Sequence, residues 1–210
     1  MAGMATRSAA ARAPAWGADL PTSDDQARER LLDAAEKCYA ERGVGRTKMT
    51  HIANKAGVHR STVYSYFPNR DAVLAECFLR AVTAVLDAAD SCWDTGESFA
   101  DQLVNSCIVG LAVTRESPTM RMLTFDDEMG RTFHAASASE KWQNRLRDGL
   151  GERFAAAAAR GEVRDDVAPE TMAHWVTRIC FSLIAEPGPA EYGGDEGLLR
   201  AFLPGAFSPR

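Results

Sequence analysis

From Ser23 onward the apolar residues of this chain recur at intervals of three and four, and no segment alternates apolar with polar residues in the manner of a strand. Side chains spaced that way are buried by helices packed on helices, so the pattern predicts an all-α fold. The first helix opens at Ser23-Asp24-Asp25-Gln26, a capping box in which Gln26 reaches back to the Ser23 amide, and carries Leu31, Leu32, Ala35 and Tyr39 to a stop at Gly43. Thr47 is placed to cap a short second helix with Met49, Ile52, Ala53 and Ala56 on one face, and Gly57 ends it. A third helix runs from about His59 to Tyr66 with Val63 and Phe67 inward, and Pro68 closes it. Asn69 caps a long fourth helix bearing Val73, Leu74, Phe78, Val82 and Val85. Further helical segments are expected at about 97–115, 119–135, 138–160, 169–186 and 195–203, separated by Pro118, Gly161, Pro169, Pro187 and Pro189.

With 210 residues, 46% hydrophobic and 25% charged, the chain can bury a core without disulfides or metal. No apolar run approaches the length of a membrane span, and Met1 to Pro21 lacks the apolar core of a secretory signal. The expectation is therefore a cytoplasmic protein with no membrane partner. The five cysteines, Cys38, Cys77, Cys92, Cys107 and Cys180, are odd in number and widely spaced, which suits reduced packing residues better than a disulfide framework. Residues 1–22 are rich in Ala, Pro, Gly and Ser without apolar periodicity and read as a disordered arm.

The net charge of −5 conceals an uneven distribution. Between Gly43 and Arg70 stand Arg46, Lys48, Lys55, Arg60 and Arg70 with no Asp or Glu, whereas the residues from Asp71 on carry a charge of −9. A basic, acid-free stretch in an acidic chain is the footprint of a phosphate-binding surface. It coincides with two short helices joined at Ala56-Gly57-Val58, the outline of a helix-turn-helix whose second helix enters a DNA major groove. With Val58, Val63 and Phe67 inward, His59, Arg60, Ser61, Thr62, Ser65 and Tyr66 fall on or beside the outer face, suited to phosphate oxygens and base edges. Lys48 and Arg70 flank helix N-termini whose free amides accept phosphate.

The block from Ala27 to Leu74 resembles the DNA-binding domain of the TetR family of bacterial transcription regulators. The residues that carry the likeness are Leu32-Asp33-Ala34-Ala35, Gly43, Thr47, Ile52-Ala53, Ala56-Gly57-Val58 and the run from Thr62 to Asp71, with its Tyr64-Ser65-Tyr66-Phe67-Pro68-Asn69-Arg70 core. The resemblance implies a three-helix DNA-binding domain over 23–70, in which Thr47 and Arg70 anchor phosphates and Arg60, Thr62, Tyr64 and Tyr66 contact the operator. It further implies a helical effector-binding and dimerisation domain over 71–210, with helices near 138–160 and 169–186 forming the homodimer, and repression of transcription. His59 and Ser61 depart from the family's usual Ser and Gly, which leaves open whether His59 touches DNA.

The acidic remainder is rich in large, soft side chains, among them Phe99, Met122, Phe125, Trp142 and Trp175, which are expected to line a pocket for a lipophilic or aromatic small molecule. No glycine loop for phosphate, no nucleophile elbow and no cofactor motif is present, so no catalytic residue and no cofactor are expected. Asp126-Asp127-Glu128 with His134 could be drawn as a metal cluster but reads as a solvated face. Two alternatives stay open at this point: a DNA-binding protein with a filled core and no effector, and a helical interaction module.

Overall fold

The computed structural model describes residues 16, 20–124 and 128–210. Among them the chain forms helices α1 (Asp24–Arg42), α2 (Met49–Ala56), α3 (Arg60–Tyr66), α4 (Arg70–Ala89), α5 (Phe99–Glu116) and α6 (Pro118–Thr124). These are followed by α7 (Glu128–Ser137), α8 (Glu140–Leu146), α9 (Glu152–Ala159), α10 (Pro169–Ala185) and α11 (Gly194–Phe207), and no strand occurs among the described residues. None of these helices is long and apolar enough to cross a membrane. Most of the expected N-terminal arm lies outside the described residues. Trp16 is described: its ring meets Tyr66 edge-on at 6.2 Å and lies under the Arg30 guanidinium at 5.2 Å.

Local chemistry sets the helix ends. Ser23 Oγ accepts the Gln26 amide at 3.1 Å, but the Gln26 side chain reaches the Thr22 amide at 2.5 Å, one residue earlier than the capping box predicts. Gly57 closes α2 at φ 70°, and the Val58 amide returns to the Ala53 carbonyl at 3.0 Å. A side chain there would sit in the left-handed region at a cost of about 1 kcal/mol, so the turn between α2 and α3 requires glycine. Asn69 Oδ1 accepts the Ala72 amide at 2.8 Å and starts α4 where expected.

Two expected segments differ. The stretch 119–135 is not one helix but α6 and α7, and the buried Thr132 hydroxyl donates to the Leu123 carbonyl at 2.6 Å, tying the second to the end of the first. The stretch 138–160 contains a π-helical turn, Arg147–Gly151, between α8 and α9. Gly149 and Gly151 are weak helix formers, and such turns gather at functional sites.

Buried side chains form two cores. The first joins Leu31, Leu32, Ile52, Val63, Phe67, Val73, Leu74 and Phe78 to Met120, Leu123 and Trp142. The second joins Phe99, Leu103, Leu111, Phe154, Met172, Val176, Leu199 and Phe207. The division expected at residues 70 and 71 coincides with the first turn of α4, whose side chains pack with α1 and with α6 and α8 in the same core. Arg80 of α4 adds an ionic tie, reaching Glu29, Asp33 and Glu36 of α1 at 2.7–2.8 Å.

Candidate nucleic-acid interface and cavity

Helix α3 is held by Val63 and Phe67, which are 0% and 1% exposed. Its outer surface presents His59, Arg60, Ser61, Tyr64 and Ser65, all exposed, with Thr62 and Tyr66 half-buried beside them. Arg60 donates to the Tyr64 hydroxyl at 2.9 Å and stacks over that ring at 5.0 Å, so the two side chains form one platform. His59 occupies the N-cap position of α3 without a side-chain cap, and its carbonyl accepts the Thr62 amide at 2.9 Å.

Three expected contact residues have hydrogen-bond partners within the protein. Thr47 is 0% exposed, and its hydroxyl donates inward to the Gly43 and Cys38 carbonyls at 2.9 and 3.3 Å. The N-cap of α2 is instead the exposed Lys48, whose amide donates to His51 Nδ1 at 3.2 Å. A β-branched threonine before a helix satisfies the preceding loop as readily as the following amides, and here the loop takes it. Arg70 is half-buried and donates through Nη1 to the Gly45 and Thr47 carbonyls, at 3.0 and 3.3 Å, strapping the start of α4 to the α1–α2 loop. Tyr66 donates its hydroxyl to Asp24 at 3.2 Å; burial and that carboxylate both raise its pKa.

The local charge is also less free than the count suggests. Lys55 is bonded to Glu41 of α1, and this hydrogen bond lowers the Glu41 pKa. Glu41 lies two residues outside the acid-free window, which is why counting by segment missed it. Lys48 and Arg60 remain exposed on the outer side.

Between the two cores lies a cavity of about 520 Å³. Its walls come from α4 (Phe78, Val82, Val85), α5 (Leu103, Cys107, Leu111) and α10 (Val176, Cys180, Phe181), with Met120 and Trp142 from the first core. The exposed Asp90, Asp148 and Glu152 stand at its edge, and Arg153 is held there by Asp90 at 3.3 Å and the Trp93 ring at 4.4 Å.

Of the five residues expected to line a pocket, Trp142 does so. Phe99 instead fills the second core against Trp93 and Phe154, with ring centroids 5.9 and 5.1 Å away. Met122 packs on the first core, and Trp175 is 40% exposed on the far side of α10 with its ring against Phe207 at 5.5 Å. Phe125 lies outside the described residues, as do Asp126 and Asp127 of the drawn metal cluster. The wall residues that sequence reasoning missed sit at helical spacing: Phe78, Val82 and Val85 on α4, and Val176, Cys180 and Ile184 on α10. That spacing was visible, but it is the same for a core face and a cavity face.

Comparison with known proteins agrees with this arrangement. The description of bacterial regulatory proteins of the TetR family matches residues 31–77, from the middle of α1 into α4. An uncharacterized HTH-type transcriptional regulator of Mycobacterium bovis is 30% identical over 147 residues, covering 69% of this chain and 75% of that one. Salmonella enterica GusR superposes with a TM-score of 0.59 at 25% identity, covering 88% of this chain and 97% of its own. Thermus thermophilus FadR, a TetR-family repressor solved with lauroyl-CoA, shares the fold with a TM-score of 0.56 at 22% identity, covering 82% and 88%. The chain defines an all-α, helix-turn-helix DNA-binding transcription regulator. It belongs to the TetR family.

Proposed function

We propose that this chain is a cytoplasmic, dimeric repressor that reads a near-palindromic operator with α3 and releases it when a lipophilic or aromatic small molecule occupies the cavity. The observation that carries the reading is the position of α4. Phe78, Val82 and Val85 form one wall of the cavity, while Arg70 at the other end of the same helix holds the α1–α2 loop. A second tie runs beside it. Lys141, next to the cavity residue Trp142, reaches Glu76 of α4 at 3.0 Å; Glu76 also bonds Arg28, which donates to the Tyr66 carbonyl at 3.1 Å. Occupation of the cavity thereby shifts the end of the reading helix.

In this reading residues 23–70 are the DNA-binding domain and 71–210 the effector and dimer domain. Arg60, Tyr64, Thr62 and Ser61 read or flank bases, His59 and Lys48 meet phosphates, and Arg70, Thr47 and Tyr66 position the helices that do so. A two-fold dimer through the α8–α9 and α10 helices sets the two reading helices about 34–36 Å apart, one turn of DNA. The exposed Trp175 on α10 supplies an apolar surface for it. A filled interior would favour a regulator without an effector; a cavity of about 520 Å³, within the usual range for small-molecule sites, favours the sensor. The reading includes no catalytic step.

The test is selection of operators from random DNA, followed by anisotropy titrations at several salt concentrations. Arg60→Ala is expected to weaken the selected site by about 1–3 kcal/mol and to relax base preference, whereas Lys48→Ala lowers all affinities alike and flattens the salt slope. An unchanged base preference in Arg60→Ala would remove α3 from the reading role.

A further inference from the structure

Among the described residues four threonines are buried: Thr47, Thr114, Thr124 and Thr132. Three of them spend the hydroxyl on a carbonyl, Thr47 on that of Gly43 at 2.9 Å, Thr124 on Met120 at 2.7 Å and Thr132 on Leu123 at 2.6 Å. Thr114, in the last turn of α5, is 3% exposed and stands in the wall of the 520 Å³ cavity, and its hydroxyl has no hydrogen-bond partner among the described residues. The two other hydroxyls of that wall are already taken, since Ser106 donates to the Leu103 carbonyl at 2.8 Å and Thr177 to Ala173 at 2.9 Å. Trp142, 4% exposed in the same wall, meets Phe78 edge-on at 5.2 Å, and its indole N–H likewise has no acceptor among the described residues. A buried donor without an acceptor is rare, because folding strips it of water's hydrogen bonds and must put something in their place.

We propose that the cavity takes a lipophilic molecule with a carbonyl oxygen and no negative charge, and that Thr114 anchors it by donating a hydrogen bond to that oxygen. The inference rests on the sensor reading above and names the chemistry of its ligand. Both free groups in the wall are donors, and an indole N–H can do nothing else, so what they lack is an acceptor. Leu111, Val176 and Phe181 give the rest of the molecule apolar surface, the usual division between a wall that supplies affinity and a few polar groups that fix orientation.

The charges around the space exclude an anion. The charged wall residues are Asp90, Arg145, Asp148, Glu152 and Arg153. Each guanidinium already faces a carboxylate, Arg153 that of Asp90 at 3.3 Å and Arg145 that of Asp87 at 4.0 Å. With the exposed Asp148 and Glu152 beside them, carboxylates outnumber guanidiniums at the edge. A carboxylate ligand would meet like charge there and would lose its hydration inside without gaining a cation, whereas a carbonyl needs only the donor that Thr114 holds ready.

The experiment measures binding of benzophenone, diphenylmethane and diphenylacetate to the full-length chain by equilibrium dialysis. The first two differ only at the carbonyl. Thr114→Val keeps the shape of the side chain and removes its hydroxyl; it should weaken benzophenone roughly threefold to tenfold and leave diphenylmethane unchanged or tighter, while Thr114→Ser recovers most of the benzophenone affinity. Diphenylacetate should bind the parent at least about tenfold more weakly than benzophenone. The parent chain also gives a readout that needs no variant to fold: the infrared carbonyl stretch of bound, isotope-labelled benzophenone should lie below its frequency in hexane, the mark of an accepted hydrogen bond. Equal effects of Thr114→Val on the two neutral ligands, or an unshifted stretch, overturn the carbonyl anchor and leave the sensor reading standing. Diphenylacetate bound as tightly as benzophenone overturns the exclusion of anions. Failure of all three to bind the parent overturns the sensor reading and this inference with it.

Discussion

The three N-terminal helices and the helices around the cavity are written in the same amphipathic pattern, yet the first set closes on itself and the second leaves about 520 Å³ open. In α1–α3 the apolar residues share a single destination, since Ile52, Val63 and Phe67 are 0–1% exposed and face one center. On α4 the destinations divide, since Leu74 packs in the closed core and Val85, three turns further on, faces the space. The difference teaches that helical periodicity reports which face turns inward and says nothing of whether the interior is filled.

The strongest way to break this contrast is a matched pair of truncations. Leu74 and Leu111 are 1% and 3% exposed, but only Leu111 borders the cavity. Leu→Ala in a close-packed core costs about 2.7–5 kcal/mol, rising with the void created. Leu74→Ala should fall in the upper half of that range. Leu111→Ala removes atoms that already lack neighbours on one side, so it should cost about 1 kcal/mol less or better. Urea unfolding of both variants measures it, and equal losses would mean that the open space collapses in solution.

How much of this was legible in the sequence follows from the same division. The helix-turn-helix was readable because its turn needs a left-handed residue at Gly57, its core needs Val63 and Phe67 four apart, and its outer face is free of acids. For Thr47, Arg70 and Tyr66 the sequence showed polarity at an expected contact position but not the intramolecular partners, the protein's own carbonyls and Asp24, that each side chain has. Side-chain polarity does not reveal which partner is nearer. Around the cavity the large residues were singled out by size, which does not separate wall from core: Trp142 lines the space, whereas Phe99 and Trp175 fill or cover the second core. The smaller Val82, Val85 and Val176 stand in the wall beside Phe78, Trp142 and Phe181, and a void survives where side chains stop short.

A milder test sharpens the contrast at Gly110. This glycine of α5 borders the cavity, and a Cβ added to it would meet Val85 Cγ1 at 3.6 Å, an ordinary contact. Alanine in mid-helix is better than glycine by about 0.8–1 kcal/mol. Gly110→Ala should therefore stabilise the chain by roughly that amount, raising the urea midpoint without changing the slope. A loss of stability would show that the α4–α5 contact has no slack, and that the open space is confined to the α10 side.

The smallest effect concerns the turn between α9 and α10, which bounds the second core on the side away from the cavity. Arg164 grips Asp166 with two hydrogen bonds, at 2.6 and 2.8 Å, and its amide donates to the Phe207 carbonyl at 2.9 Å. The guanidinium lowers the Asp166 pKa from 3.8 to about 2, with Arg210 adding to it. A carboxylate depressed on folding stabilises the native state fully above its unfolded value, and that contribution fades as the pH falls from about 4 toward 2. Because the pair lies at the surface, with Asp166 40% exposed, its effect on stability at neutral pH is slight. Carbon-detected titration should place Asp166 near 2, and Arg164→Ala should return it toward the ordinary aspartate range with the melting temperature at pH 7 nearly unchanged. A large fall in melting temperature would mean that the Arg164 side chain, and not only its amide, holds α11 against the second core.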